Sequence, residues 1–178
     1  DLSCGVGGKK MASATTSFTF ARFPILQKQV FMESPNSFAF VNLKPIIPGH
    51  VLCAPKRVCS RFEDLTDREI SDLMRLSKCV GQAVKQVYEA KSMTLSIQDG
   101  PEAGQTVPHV HVHVIPRKLS DFGGRNDEIY ERLDEQCESE RIARVDAEEG
   151  RRARTMDEMA EEAEVIRAAI LRLGLFVD

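Results

Sequence analysis

His109-Val110-His111-Val112-His113-Val114-Ile115 holds three of the four histidines in the chain. Alternation with valine is the period of a β-strand, whose successive side chains point to opposite faces. The spacing predicts one face carrying Val110, Val112 and Val114, and another carrying His109, His111 and His113. The valine face has a destination in a hydrophobic core. The histidine face does not, because buried imidazoles pack poorly and each needs hydrogen-bond partners. Such a strand presents a row of titratable, nucleophilic nitrogens.

Working upstream, Met93, Leu95 and Ile97 alternate with polar residues, predicting a strand that runs into Gln98. The loop from Asp99 to Pro108 holds two glycines and two prolines, and its length favours an antiparallel pair over a crossover. Thr66 and Glu69 form a capping box that opens a helix, with Ile70, Leu73, Met74, Val80, Val84, Val87 and Tyr88 as its apolar stripe. Before it lie an extended region around Phe18, Phe20 and Ile25, and strands at Val30-Phe31-Met32, Phe38-Ala39-Phe40-Val41-Asn42-Leu43 and His50-Val51-Leu52-Cys53-Ala54. Glu33-Ser34-Pro35-Asn36 and Lys44-Pro45-Ile46-Ile47-Pro48-Gly49 are turn-rich connections between them.

Downstream, Thr155 and Glu158 form a second capping box, followed by Met159, Ala163, Ile166, Ile170 and Leu173 at helical spacing. The pattern is α+β: a mostly antiparallel sheet with two main helices. Residues 124–154 are dense in Asp, Glu and Arg, with Ile129, Tyr130, Leu133, Ile142 and Val145 as their few apolar anchors. They read as a solvated, mobile segment with a helical turn or two around Asp127. Residues 1–16 read as a small, polar, disordered tail, leaving 17–178 as the domain.

The 178 residues fit one domain, and a net charge of -3 offers no electrostatic footprint for nucleic acid or an anionic membrane. No stretch approaches the ~18 apolar residues of a membrane span. Five scattered cysteines, never in C-x-x-C spacing, argue against a disulfide framework or a structural zinc site. They fit a reducing compartment, the cytoplasm or nucleus.

Three roles compete for the histidine face. A purely structural role must satisfy every imidazole at once. Zinc can be shared by two histidines at i and i+2, with His50 as the remaining imidazole, but three same-face residues span ~13 Å and cannot all reach one tetrahedral ion. Attack on phosphorus explains the row better: a neutral ring nitrogen forms a phosphoramidate that water later cleaves. Its partner nitrogen then needs an acceptor that fixes the tautomer. The loop Gln98-Asp99-Gly100-Pro101-Glu102-Ala103-Gly104-Gln105-Thr106-Val107 adds donors, and its glycines let backbone amides approach an anion.

HVHVHVI resembles the signature of the histidine triad superfamily of nucleotide hydrolases and transferases. SIQDGPEAGQTVPHVHVHVIPRK, the following DF and RNDEIY, and the earlier SFAFVNLKPIIPGHVLCAP are similar to its fragile histidine triad branch, the diadenosine triphosphate hydrolases. The likeness runs from about Ser17 to Tyr130 and resumes in the closing helix. It implies that His111 is the nucleophile at the α-phosphorus and carries a covalent adenylyl group. His113 would contact phosphate oxygens and assist proton transfer, with His109 and His50 holding the tautomer of the nucleophile. Gln98 would sit near the bridging oxygen, Gly104, Gln105, Thr106 and Val107 would line the phosphate site, and Asn42 would hold the ribose. Phe20, Phe40 and Leu52 would form a purine slot bordered by Phe23.

The resemblance also implies a homodimer whose sheets join into one, and magnesium or manganese accompanying the polyphosphate instead of occupying a protein metal site. Gly123-Gly124 lengthens the segment after the triad relative to the usual pattern of the branch. Two other readings remain. One is the phosphoramidase branch, whose C-terminal end typically contains tryptophan, absent from this chain. The other is a nucleotide-sensing module with slow turnover, whose charged segment changes partners when ligand is bound.

Overall fold

The computed structural model describes residues 16–134 and 152–175. β1 (Thr16–Phe20) and β2 (Phe23–Leu26) form an antiparallel hairpin. β3 (Val30–Glu33), β4 (Ser37–Val41), β5 (Val51–Pro55), β6 (Ser92–Ser96) and β7 (Val112–Arg117) make a five-stranded sheet in the order β3-β4-β5-β7-β6, antiparallel at every pairing. α1 (Asp67–Val87) separates β5 from β6, α2 is helical over residues 128–134, and α3 (Met156–Leu173) closes the described chain. The α+β architecture expected from sequence is the one observed. Both capping boxes form, Thr66 accepting from the Glu69 amide and Thr155 from the Glu158 amide, so each helix begins where its orphan N–H groups find partners.

The sheet has two buried faces. On one, Val110, Val112 and Val114 join Val41, Val51 and Cys53 beneath Leu73, Leu76, Val80 and Val84 of α1 and Ala163 and Ile166 of α3. Burial there pushes the Cys53 thiol up to about 12, where it stays protonated and behaves as a small apolar group. On the opposite face, Phe20, Ile25, Val30, Phe38, Phe40, Leu52 and Ala54 form a second, aromatic cluster. The hairpin therefore covers the face that the helices leave open.

Some expectations shift. Met74 is 38% exposed, and Leu76 and Ala83 join the core face of α1 instead; Leu173, the last residue of α3, is 43% exposed. The helical period of α1 holds, with its stripe rotated slightly about the axis. Regular pairing of β7 begins only at Val112, because the Val110 amide turns to the Cys59 carbonyl at 2.7 Å. The alternation of faces nevertheless persists back to His109.

The charged segment has the helical turn expected near Asp127, in α2, but its two described ends are held to the body of the domain. Ile129 (0% exposed) and Leu133 (4%) of α2 pack on Ile115, with Ile46, Ile47 and Phe122 alongside, so this end is anchored apolar structure. At the other end Arg154 is tied to the loop after β4 through its backbone and guanidinium. The centre of the segment, residues 135–151, and the expected tail lie outside the described residues, apart from Thr16 in β1.

Candidate active site

Register builds the site. Phe40 pairs with Leu52, Leu52 with His113, and His113 with Ser96, so these four residues form one row across β4, β5, β7 and β6. On the same face Asn42 and His50 stand level with each other two residues to one side of this row, and His111 stands two residues to the other side, level with Ala54 and Phe38. All four imidazoles are buried, His50 and His109 completely, His111 at 6% and His113 at 3% exposed.

Backbone groups decide where each imidazole proton sits. The Ala21 amide donates to His109 Nδ1 at 2.9 Å, which leaves the proton on Nε2, and this N–H donates to the Pro55 carbonyl at 2.9 Å. Both nitrogens are thus engaged in fixing the β1–β2 turn to the end of β5. Burial, together with the neighbouring His111, pulls the His109 pKa below its ordinary value and keeps the ring neutral.

His111 Nδ1 lies 2.7 Å from the His109 carbonyl. A carbonyl only accepts, so Nδ1 carries the proton and the lone pair is placed on Nε2. His111 therefore has the tautomer of a nucleophile, with its ring held by a backbone oxygen two residues away. Phe20 meets this ring edge-on at 5.1 Å and stacks against His109 at 5.3 Å.

A second chain runs through His50. The Ile46 amide donates to His50 Nδ1 at 3.1 Å, so His50 Nε2 is protonated and donates to His113 Nδ1 at 2.9 Å. His113 in turn bears its proton on Nε2. The Asn42 amide nitrogen approaches His50 Nε2 only to 3.4 Å, and it cannot donate to an atom that already holds a proton. The Asn42 carbonyl oxygen accepts from the Lys44 amide at 3.1 Å, which orients the side chain. The pair His111 and His113, ring centroids 4.8 Å apart, thus offers a lone pair beside an N–H donor.

His109 holds the tautomer of His111 as expected, through its backbone carbonyl, whereas the His50 ring is bonded to His113. Phe20, Phe40 and Leu52 do meet in one cluster, which Val107 joins. Phe23 does not; it is 43% exposed beneath the Arg22 guanidinium, because β2 turns that position outward. The Gln105 side chain is spent on the loop itself, accepting from the Gly100 amide and donating to the Ser60 carbonyl, each at 2.9 Å. Gly104 takes the left-handed φ of 84° that ends the short turn Pro101–Ala103. Gln98, two residues past Ser96, and Thr106 are half-buried.

Sequence reasoning missed Arg154. Its Nε donates to the Asn42 carbonyl at 3.0 Å, Nη2 contacts the same oxygen, and its own amide donates to the Leu43 carbonyl at 2.9 Å. Its only sequence signal is a basic residue immediately before a helix cap. Backbone partners such as Ala21, Ile46 and Pro55 carry no such signal.

The model of the HIT domain matches residues 25–119. The "Bifunctional bis(5'-adenosyl)-triphosphatase/adenylylsulfatase FHIT" of Arabidopsis thaliana is 47% identical over 160 residues, 90% of this chain and 88% of that protein. The "Bis(5'-nucleosyl)-tetraphosphatase [asymmetrical]" of Schizosaccharomyces pombe is 40% identical over 168 residues, covering 83% and 91%. Among solved structures, Plasmodium falciparum diadenosine triphosphate hydrolase in complex with Cyclomarin A superposes with a TM-score of 0.69 at 29% identity, covering 93% and 90%. The buried row of histidines, the sheet that carries it and these relatives agree: the chain belongs to the HIT domain family, in its fragile histidine triad branch.

Proposed function

We propose that the protein hydrolyses diadenosine triphosphate to AMP and ADP through an adenylyl group carried on His111. The observation that carries this reading is the bond from His111 Nδ1 to the His109 carbonyl, which leaves Nε2 as an oriented lone pair. Nε2 attacks the α-phosphorus, the bond from that phosphorus to the bridging oxygen breaks, and ADP departs. The Nε2–H of His113 stabilises charge on the phosphate oxygens and supplies a proton path to the leaving oxygen. Water then attacks the phosphorus, the P–N bond breaks, and AMP leaves with His111 restored. The Nδ1–H bond to the carbonyl persists throughout and stabilises the ring while it carries the phosphoryl group.

Asn42 holds the ribose, and Phe20, Phe40 and Leu52 flank the base. Gln98 lies toward the bridging oxygen, while Gly104, Thr106 and the backbone of Gln105 present the phosphate loop. Magnesium or manganese travels with the polyphosphate, whose hard oxygens suit it. The protein acts as a homodimer joined through β6, which pairs only with β7 among the described residues and exposes Leu95, whereas the opposite edge, β3, is overlaid by α3.

Product analysis on diadenosine triphosphate, diadenosine tetraphosphate and an adenosine phosphoramidate tests the assignment. AMP and ADP from the triphosphate at the highest kcat/KM supports it. Faster cleavage of the phosphoramidate contradicts it.

A further inference from the structure

The loop over residues 42–50 carries two of the site's groups, Asn42 at its start and His50 at its end. Its internal bonds, Lys44 to the Asn42 side chain and Ile46 to the His50 ring, shape it but do not anchor it to the body of the domain. Its middle packs through Ile46 and Ile47 on Ile115, Ile129 and Leu133, its His50 end is bonded to His113, and three side chains from outside the sheet hold it from the other side. Arg154 binds the Asn42 carbonyl through Nε and Nη2, and its Nη1 is 2.5 Å from Glu162 Oε2 on α3. The Tyr88 hydroxyl, at the end of α1, donates to Glu162 Oε1 at 2.5 Å. The Tyr88 ring lies against Gly49, so closely that a Cβ there would sit 2.5 Å from Cδ2. The chain Asn42–Arg154–Glu162–Tyr88–Gly49 therefore spans the loop from behind and touches both of its ends.

The ion pair is mostly shielded, with Arg154 and Glu162 side chains 15% and 10% exposed. A charged pair that is removed from solvent holds its geometry more firmly than a surface pair, and losing one partner strands the other. Arg154 is also the last residue of the charged segment and precedes the cap of α3, so it joins the C-terminal helix to the site.

We propose that Arg154, braced by Glu162 and Tyr88, is a positioning residue for the nucleoside: it sets Asn42 against the ribose and acts on substrate only through that loop. The inference rests on the nucleotide-hydrolase reading above.

Its test uses the full chain, with AMP affinity measured by calorimetry and KM and kcat measured on diadenosine triphosphate, for wild type, R154A, N42A and the double variant. R154A weakens AMP binding and raises KM about tenfold, with kcat changed less than about threefold. Because both substitutions act on one contact, the double variant is no weaker than the worse single variant. If R154A does not fold, R154K serves; its single ammonium cannot serve the Asn42 carbonyl and Glu162 as the guanidinium fork does, and AMP affinity falls about threefold. R154A or R154K binding AMP as wild type does, or effects that multiply in the double variant, overturn the brace while leaving the functional reading intact. A wild-type protein that neither binds AMP nor cleaves the dinucleotide overturns that reading and the inference with it.

Discussion

Three histidines of one strand end up with three different chemistries because each meets a different backbone group. His109 is locked at both nitrogens, His111 keeps a lone pair, and His113 receives a proton bond from His50. His50→Phe removes the group that fixes the His113 tautomer, so kcat falls about ten- to a hundredfold, to be read from steady-state turnover of diadenosine triphosphate. His109 adds a pH dependence to stability. Unfolded, an imidazole takes up its proton near pH ~6.5, whereas folded His109 resists it. Between the folded and unfolded pKa values the unfolded chain binds more protons, so the contribution of this ring is full above pH ~6.5 and is lost as pH falls toward the folded value. Urea midpoints across that range decline with falling pH, and His109→Gln removes this part of the slope.

At the scale of elements, the alternating run told which face each residue of β7 occupies, since a period of two is rigid in a strand. The same pattern could not tell which imidazole attacks, because that depends on the backbone group each ring meets: the His109 carbonyl for His111, Ala21 and Pro55 for His109, and Ile46, through His50, for His113. Phe23 and Gln105 show a second limit: the family resemblance implied a slot and a phosphate contact, while local turns directed both side chains elsewhere. Ile129 and Leu133 stand out in the sequence as apolar anchors in a charged stretch, yet their packing on Ile115 depends on where the chain turns after β7. The loop over 42–50 offers a test at this scale. Gly49 has φ 82° and sits against Tyr88 and Pro116. Gly49→Ala therefore combines backbone strain with a clash, costing on the order of 2–3 kcal/mol in chemical denaturation, and it displaces the neighbouring His50.

For the whole molecule, one sheet is covered by helices on its valine face and by an aromatic hairpin on its histidine face, leaving β6 as the edge available for pairing. Leu95→Lys places a charge at that edge, and light scattering then finds monomer where the wild type is dimer. A wild type that is monomeric at every concentration overturns the dimer proposal. The central claim is that His111 alone bears the covalent step. Its most direct test is turnover of diadenosine triphosphate by His111→Asn, which keeps a polar side chain but has no ring nitrogen to attack. The account predicts a loss of at least about a thousandfold in kcat with the fold unchanged; hydrolysis within a few-fold of wild type would contradict it.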